Sequence, residues 1–229
     1  MGRCPYPWWK RLLVLVSIVL VFPCIAAGER RPVVILDPGH GGADAGVKGA
    51  YGSLEKEISL AVALELRHQL GPLFDVRLTR ESDRAVGLTG RVEMANSTRG
   101  ELLLSLHMGG GLSREGNGMS VLVQQSSSGP QRGAGEHWDS GHMPYLAASQ
   151  DMATDLKRSL AVLEGYDGVA ISRVPLAISR GARMPVVLVE LGNLVNPDQE
   201  NRMGDTRHLR RVASALAAAI EGYFSRNVR

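Results

Sequence analysis

The sequence predicts an α/β domain in which a parallel β-sheet is covered by helices. Three observations point there. Short apolar runs at 33–37, 102–107 and 185–190 lack the polar alternation of a half-exposed strand, so both of their faces need cover. Longer amphipathic stretches, the pattern of crossover helices, lie between them. Glycine and proline punctuate the joins, as at Gly71-Pro72.

Taken in order, residues 1–28 stand apart from the fold. Arg3, Lys10 and Arg11 precede an apolar run at 12–22 and the small residues Ala26-Ala27-Gly28, which is the layout of a secretory signal peptide. The run is short against the roughly 20 residues of a membrane span. Pro23 directly before Cys24 argues against a lipoprotein cleavage site. The expected organisation is a signal peptide at 1–28 and one domain at 29–229, exported to the periplasm or beyond, with no stable membrane insertion once the leader is removed.

That division changes the charge reading. The leader holds three of the 26 basic residues and none of the 23 acidic ones, so the remainder is neutral overall and shows no electrostatic case for nucleic-acid binding. Cys4 and Cys24 both lie in the leader, so the mature chain has no disulfide, thiolate ligand or cysteine nucleophile. Any metal would be held by His, Asp or Glu.

Residues 33–37 predict a buried strand. Residues 54–70 predict a helix with Ile58, Val62, Leu66 and Leu70 on one side, stopped by Gly71-Pro72. A short strand follows at 76–79 and a helix at 88–98. Strands are expected at 102–107 and 118–125. A helix is expected at 145–163, with Leu146, Met152, Leu156 and Leu160 as its apolar positions. Strands at 176–179 and 185–190 and a helix at 208–224 complete the chain. The Gly- and Ser-rich segment 126–144, with Trp138, reads as a surface loop or lid.

The chemistry gathers where strands end. LDPGHGGADAG (36–46) is not a phosphate cradle. No lysine followed by Ser or Thr closes it, and glycines at 39, 41, 42 and 46 do not match the dinucleotide pattern. Ligands in open α/β sheets sit beyond the carboxyl ends of the strands. Three strands here run into His40, His107 and Glu190. A catalytic zinc uses three protein ligands and leaves a position for water. Two histidines supply nitrogen, and Glu55, Glu57 or Glu190 could supply the carboxylate; spacing does not choose among them. A lone histidine is an ordinary structural residue, and Glu55 alone is a favourable charge at a helix N-terminus. Glu190 is harder to explain as structure, because a carboxylate directly after Val-Val-Leu-Val is costly to bury without a partner.

LDPGHGGADAG (36–46), LEKEISLAVALELRHQL (54–70), LTR (78–80), LLLSLHMG (102–109) and RMPVVLVELGNLVNPDQE (183–200) together resemble the zinc-dependent N-acetylmuramoyl-L-alanine amidases of the type-3 class, bacterial cell-wall enzymes. The resemblance runs from about residue 32 to 224. It implies a six-stranded, mostly parallel sheet flanked by helices. It implies zinc ligands at His40, Glu55 and His107 and a catalytic glutamate at Glu190. The implied reaction is hydrolysis of the amide between N-acetylmuramic acid and L-alanine in peptidoglycan, with zinc polarising the carbonyl. Asp37 reads either as a carboxylate orienting a histidine ligand or as a turn residue. Met108-Gly109 departs from the family's usual Ala-Asp or Ala-Asn after the second histidine. The chain has little room for the inserted plug helix of some relatives, so an open site is expected, with any activator protein unknown. A non-catalytic wall-binding protein and a stem-peptide peptidase are the competing readings.

Overall fold

Six strands form one sheet in the order β2-β1-β3-β6-β4-β5. They are β1 (Val33–Pro38), β2 (Asp75–Leu78), β3 (Leu102–Gly109), β4 (Met119–Gln124), β5 (Val169–Val174) and β6 (Val186–Asn193). This computed structural model describes residues 1–2, 30–110, 113–126 and 141–227. The expected leader, with Cys4 and Cys24, and Trp138 of the 126–144 segment lie outside the described residues. Arg31–Arg229 forms one compact unit, which carries the fold described here.

β2, β1, β3 and β6 run parallel; β4 is antiparallel to β6, and β5 runs parallel to β4. The expected mostly parallel six-stranded sheet is therefore the observed one. Helices α1 (Glu55–Leu70), α3 (Leu146–Leu160) and α5 (Thr206–Asn227) share a core with Val34, Leu36, Leu104, Leu106, Val187 and Val189. On the other face, α2 (Leu88–Ser97) and a 3₁₀ turn at Ala177–Ser179 cover Val33, Ile35, Leu103 and Val186. Residues from both faces of β1 and β3 are thus inaccessible to water. At about 1.5–3 kcal/mol for each fully buried aliphatic side chain, this centre holds the strands in register.

Two expectations change. Residues 176–179 are not a strand: Ala177–Ser179 forms the 3₁₀ turn, and the strand is β5, ahead of Pro175. The Ser179 hydroxyl donates to Leu176 O at 2.7 Å, and Gln124 Oε1 accepts from Leu176 N at 2.7 Å. These local bonds turn the segment away from an extended ladder. A further helix, α4 (Pro197–Gly204), follows β6. Its N-cap is Asn196, whose side chain accepts from Asp198 N and Gln199 N, with Pro197 at the first helical position.

Candidate metal centre

Parallel pairing places the ends of β1, β3 and β6 side by side. Pro38 pairs with Leu106, and His107 pairs with Glu190. His40 follows two residues after β1, and Glu55 opens α1. The chain between them returns on itself. Lys48 bridges Leu54, Glu55 N donates to Val47 O at 2.9 Å, and Val47 N donates to Glu55 Oε2 at 2.8 Å.

The result is a tight cluster. One ligand atom from each of His40, Glu55 and His107 lies within 4.8 Å of the others. Glu55 Oε1 stands 3.0 Å from His40 Nε2 and 2.9 Å from His107 Nδ1, and it accepts from Met108 N at 3.0 Å. The two imidazoles meet edge to face, with centroids 5.0 Å apart. Two glycines make room. A Cβ on Gly39 would stand 2.3 Å from His107 Cε1, and one on Gly46, at φ = +66°, would stand 2.5 Å from Glu55 Oε2. His40 itself has φ = 60°, a left-handed backbone that costs a non-glycine residue about 1–2 kcal/mol.

The two carboxylates in this region are set in opposite directions. Burial alone would raise the Glu55 pKa, but hydrogen bonds from His107 and from the Val47 and Met108 amides, with the charge of His40, bring it below the usual range. Burial pushes Glu190 up, His107 opposes this and the charge of Glu55 adds to it. Glu190 lines a cleft of about 730 Å³ with Gly109, Gly110, Gly116, Gly118 and Asn193. His40 and His107 line another, of about 410 Å³, together with Leu88, Ile178 and Leu188.

A model describing N-acetylmuramoyl-L-alanine amidase matches residues 34–222. The chain belongs to the N-acetylmuramoyl-L-alanine amidase family. Among similar proteins is the amidase AmiA of Salmonella typhimurium, 29% identical over 86% of this chain and 77% of that protein. Another is AmiC of Neisseria meningitidis, 28% identical over 87% of this chain and 54% of that protein. Of solved structures, the catalytic domain of the amidase CwlV from Paenibacillus polymyxa superposes with a TM-score of 0.70. It is 28% identical and covers 85% of this chain and 98% of that domain.

In this amidase the structure brings His40, Glu55 and His107 together and sets Glu190 on the strand beside His107. Glu57 is not among the clustered donors. Of the two readings of Asp37, the one that orients a histidine ligand is not the arrangement seen. Its carboxylate accepts from Thr79 Oγ1 at 2.6 Å, Ser105 Oγ at 2.7 Å and Arg91 Nη1 at 2.6 Å. The carboxylate beside a histidine is Asp44, 2.9 Å from His40 Nδ1. Its pKa is lowered by that bond and by Gly46 N. Met108 turns inward and is buried, and its amide serves Glu55.

Sequence reasoning also passed over Glu200. From α4 it accepts Tyr51 N at 2.7 Å and Ser53 N at 2.8 Å, tying down the turn that leads into Glu55. The Asn-Pro-Asp-Gln-Glu string at 196–200 is a helix start that could have revealed the element, though not its partner.

Proposed function

We propose that this amidase hydrolyses the amide joining the lactyl group of N-acetylmuramic acid to the L-alanine of the peptidoglycan stem peptide, with zinc held by His40, Glu55 and His107. The observation that carries the reading is the His-Glu-His cluster, all three donor atoms within 4.8 Å, with Glu190 paired beside His107. The donor set suits zinc: two imidazole nitrogens and one carboxylate, with no thiolate available. The 2.9 and 3.0 Å separations from Glu55 Oε1 fall a few tenths of an ångström short of the roughly 3.4 Å between ligands in a tetrahedron of bonds about 2.1 Å long. The chemistry zinc supplies there is Lewis acidity toward the amide carbonyl and toward water.

The protein's own groups do the rest. Glu55, kept ionised by its donors, offers a lasting negative charge beside the two imidazoles. Asp44 orients the His40 ring through Nδ1, leaving Nε2 for the cation. Glu190, whose carboxyl holds a proton more readily than an ordinary one, accepts the proton of the attacking water and passes it to the departing amine of L-alanine. The cleft beside it, lined in part by glycines, gives room for the substrate backbone. The substrate lies outside the cytoplasm, so residues 1–28 act as an export signal, with the periplasm as the destination.

The test is mass spectrometry of the soluble products when protein purified from residue 29 onward is incubated with peptidoglycan, with and without a chelator. Stem peptides beginning at L-alanine, lost on chelation and restored by zinc, are expected. Peptides cut inside the stem would make it a peptidase, and bound zinc with no release from any wall substrate would make it a binding protein.

A further inference from the structure

His40 carries the most unusual backbone of the site, and the loop around it is held in an unusual way. Its five consecutive carbonyls, from residue 38 to 42, are all taken up. Pro38 O accepts from Arg80 Nε at 3.0 Å and Arg91 Nη1 at 2.7 Å. Gly39 O accepts from Arg80 Nη2 at 2.7 Å and Ser59 Oγ at 3.1 Å. His40 O accepts from Arg91 Nη2 at 2.7 Å. Gly41 O accepts from Asp44 N at 3.3 Å, and Gly42 O from Lys56 Nζ at 2.8 Å. Four of the five are held by cationic side chains, and both arginines are buried, Arg80 wholly and Arg91 at 7% exposure.

The two arginines divide the work. Arg80 reaches the carbonyls of Pro38, Gly39, Lys56 and Ser82 and so ties the loop to α1 and to the chain after β2. Arg91 reaches the carbonyl of His40 itself. Its Nε donates to Val86 O at 2.9 Å, and Nη1 is shared between Pro38 O and Asp37 Oδ1. Every nitrogen of the guanidinium is engaged. Asp37 is held in turn by Thr79 and Ser105, so Arg91 is anchored to β1, to β3 and to the residue that follows β2. The left-handed turn at His40 swings its imidazole toward Glu55 and His107, and the guanidinium grips the peptide at that turn.

We infer that Arg91 is a positioning residue for the metal centre. It fixes the His40 peptide in its left-handed conformation, so that Nε2 is aimed at the other two donors before any ion arrives. The inference rests on the metal-centre reading given above. Only a planar fork can serve Pro38 O, His40 O, Val86 O and Asp37 at once; a lysine ammonium keeps the charge for Asp37 and loses the plane.

Cobalt(II) is a suitable probe, because its visible spectrum reports ligand geometry while competition with a chelator reports affinity. The full mature protein would be compared with Arg91→Lys, and with Arg80→Lys as a buried arginine of the same loop that does not touch the His40 carbonyl. Arg91→Lys is expected to remain folded, to bind cobalt about tenfold or more weakly and to show an altered spectrum, the scale of loss seen when an outer support of a metal ligand is removed. Arg80→Lys is expected to lower the melting temperature at least as much, yet to keep the wild-type spectrum. A folded Arg91→Lys with wild-type affinity and spectrum overturns the inference, as does an Arg80→Lys that loses as much affinity. Arg91→Gln, which keeps two donors, provides a second reading; if neither Arg91 variant folds, the residue is structural and the assignment fails. Wild-type protein that binds neither cobalt nor zinc brings down the metal-centre reading and this inference with it.

Discussion

Glu55 and Glu190, which the proposed function assigns to one site, have opposite surroundings. Glu55 opens a helix, is 2% exposed, and is surrounded by donors: two imidazoles and the amides of Val47 and Met108. Glu190 lies partly exposed within the buried strand β6 and lines a cleft that six glycines share with Met119, Asp167 and Asn193. The first carboxyl is driven toward ionisation and the second toward holding its proton. On the proposed function the two identical side chains are fitted for two tasks, because a cation needs a permanent anion beside it whereas proton transfer needs a group that can change state.

Exchanging each carboxylate for an amide tests this contrast most directly. Glu190→Gln is expected to lower turnover by about 10²–10⁴-fold, the scale of a lost general base, with metal content unchanged. Glu55→Gln is expected to lose the metal and turnover together. Zinc content by atomic absorption, read beside product release, separates the two. Loss of metal in the Glu190 variant would make it a ligand and erase the difference in role.

A smaller effect is expected one step removed from Glu55. Glu200 is buried and holds the 51–53 turn by its amides. Burial opposes ionisation of Glu200, but the amide bonds from Tyr51 and Ser53 outweigh it and lower the pKa. Glu200→Ala leaves those amides without their acceptor, at about 1–3 kcal/mol. It also loosens the turn that delivers Glu55. A lower melting temperature with weaker metal retention is expected. Glu200→Gln, which keeps an acceptor oxygen, should fall between the two. Weakened metal retention in the Glu200 variant with Glu190 chemistry otherwise intact would sharpen the division between holding and proton transfer.

How much of this was legible in the sequence follows from burial. β1, β3 and β6 are covered on both faces, so their runs are continuous and their ends could be read, including His40, His107 and Glu190. β5 fully buries only Val169 of VAISRV, so its apolar pattern is weak beside that of the LAIS that follows it. α4 buries Gln199, Glu200 and Met203, which leaves no apolar period to detect. Choosing Glu55 over Glu57 needed the family resemblance, because the two differ only by which side of a first helical turn they occupy. Arg80 and Arg91 were invisible as buried groups. Their burial is justified by main-chain carbonyls that converge only once the His40 loop has its left-handed turn, and no side-chain pattern records that.

The smallest expected effect concerns acid stability, and it keeps the two carboxylates from being confused with the fold's own titration. His208, in the first turn of α5, lies 2.8 Å from Tyr166 Oη through Nε2, and Arg211 Nη2 lies 3.4 Å from its Nδ1. Arginine can only donate, so Nδ1 is the acceptor, Nε2–H donates to the tyrosine, and the tyrosine hydroxyl is directed at Met203 Sδ, 3.7 Å away. The His208 imidazole in this chain of bonds is the neutral form, with Arg211 its charged donor. Burial, then the charges of Arg211 and Arg202, lowers the His208 pKa, and burial pushes Tyr166 up to about 12. Since the folded form of His208 binds its proton less readily than the unfolded form, its contribution to stability is present above the ordinary value of about 6.5 and is lost as pH falls below it. The melting temperature should therefore decline between about pH 8 and pH 5.5 in the wild type and decline less in His208→Gln. Parallel curves for the two proteins would remove His208 as the cause. A flatter curve for the variant would provide a background on which the pH dependence of turnover can be assigned to the pair around the metal centre rather than to loss of the folded state.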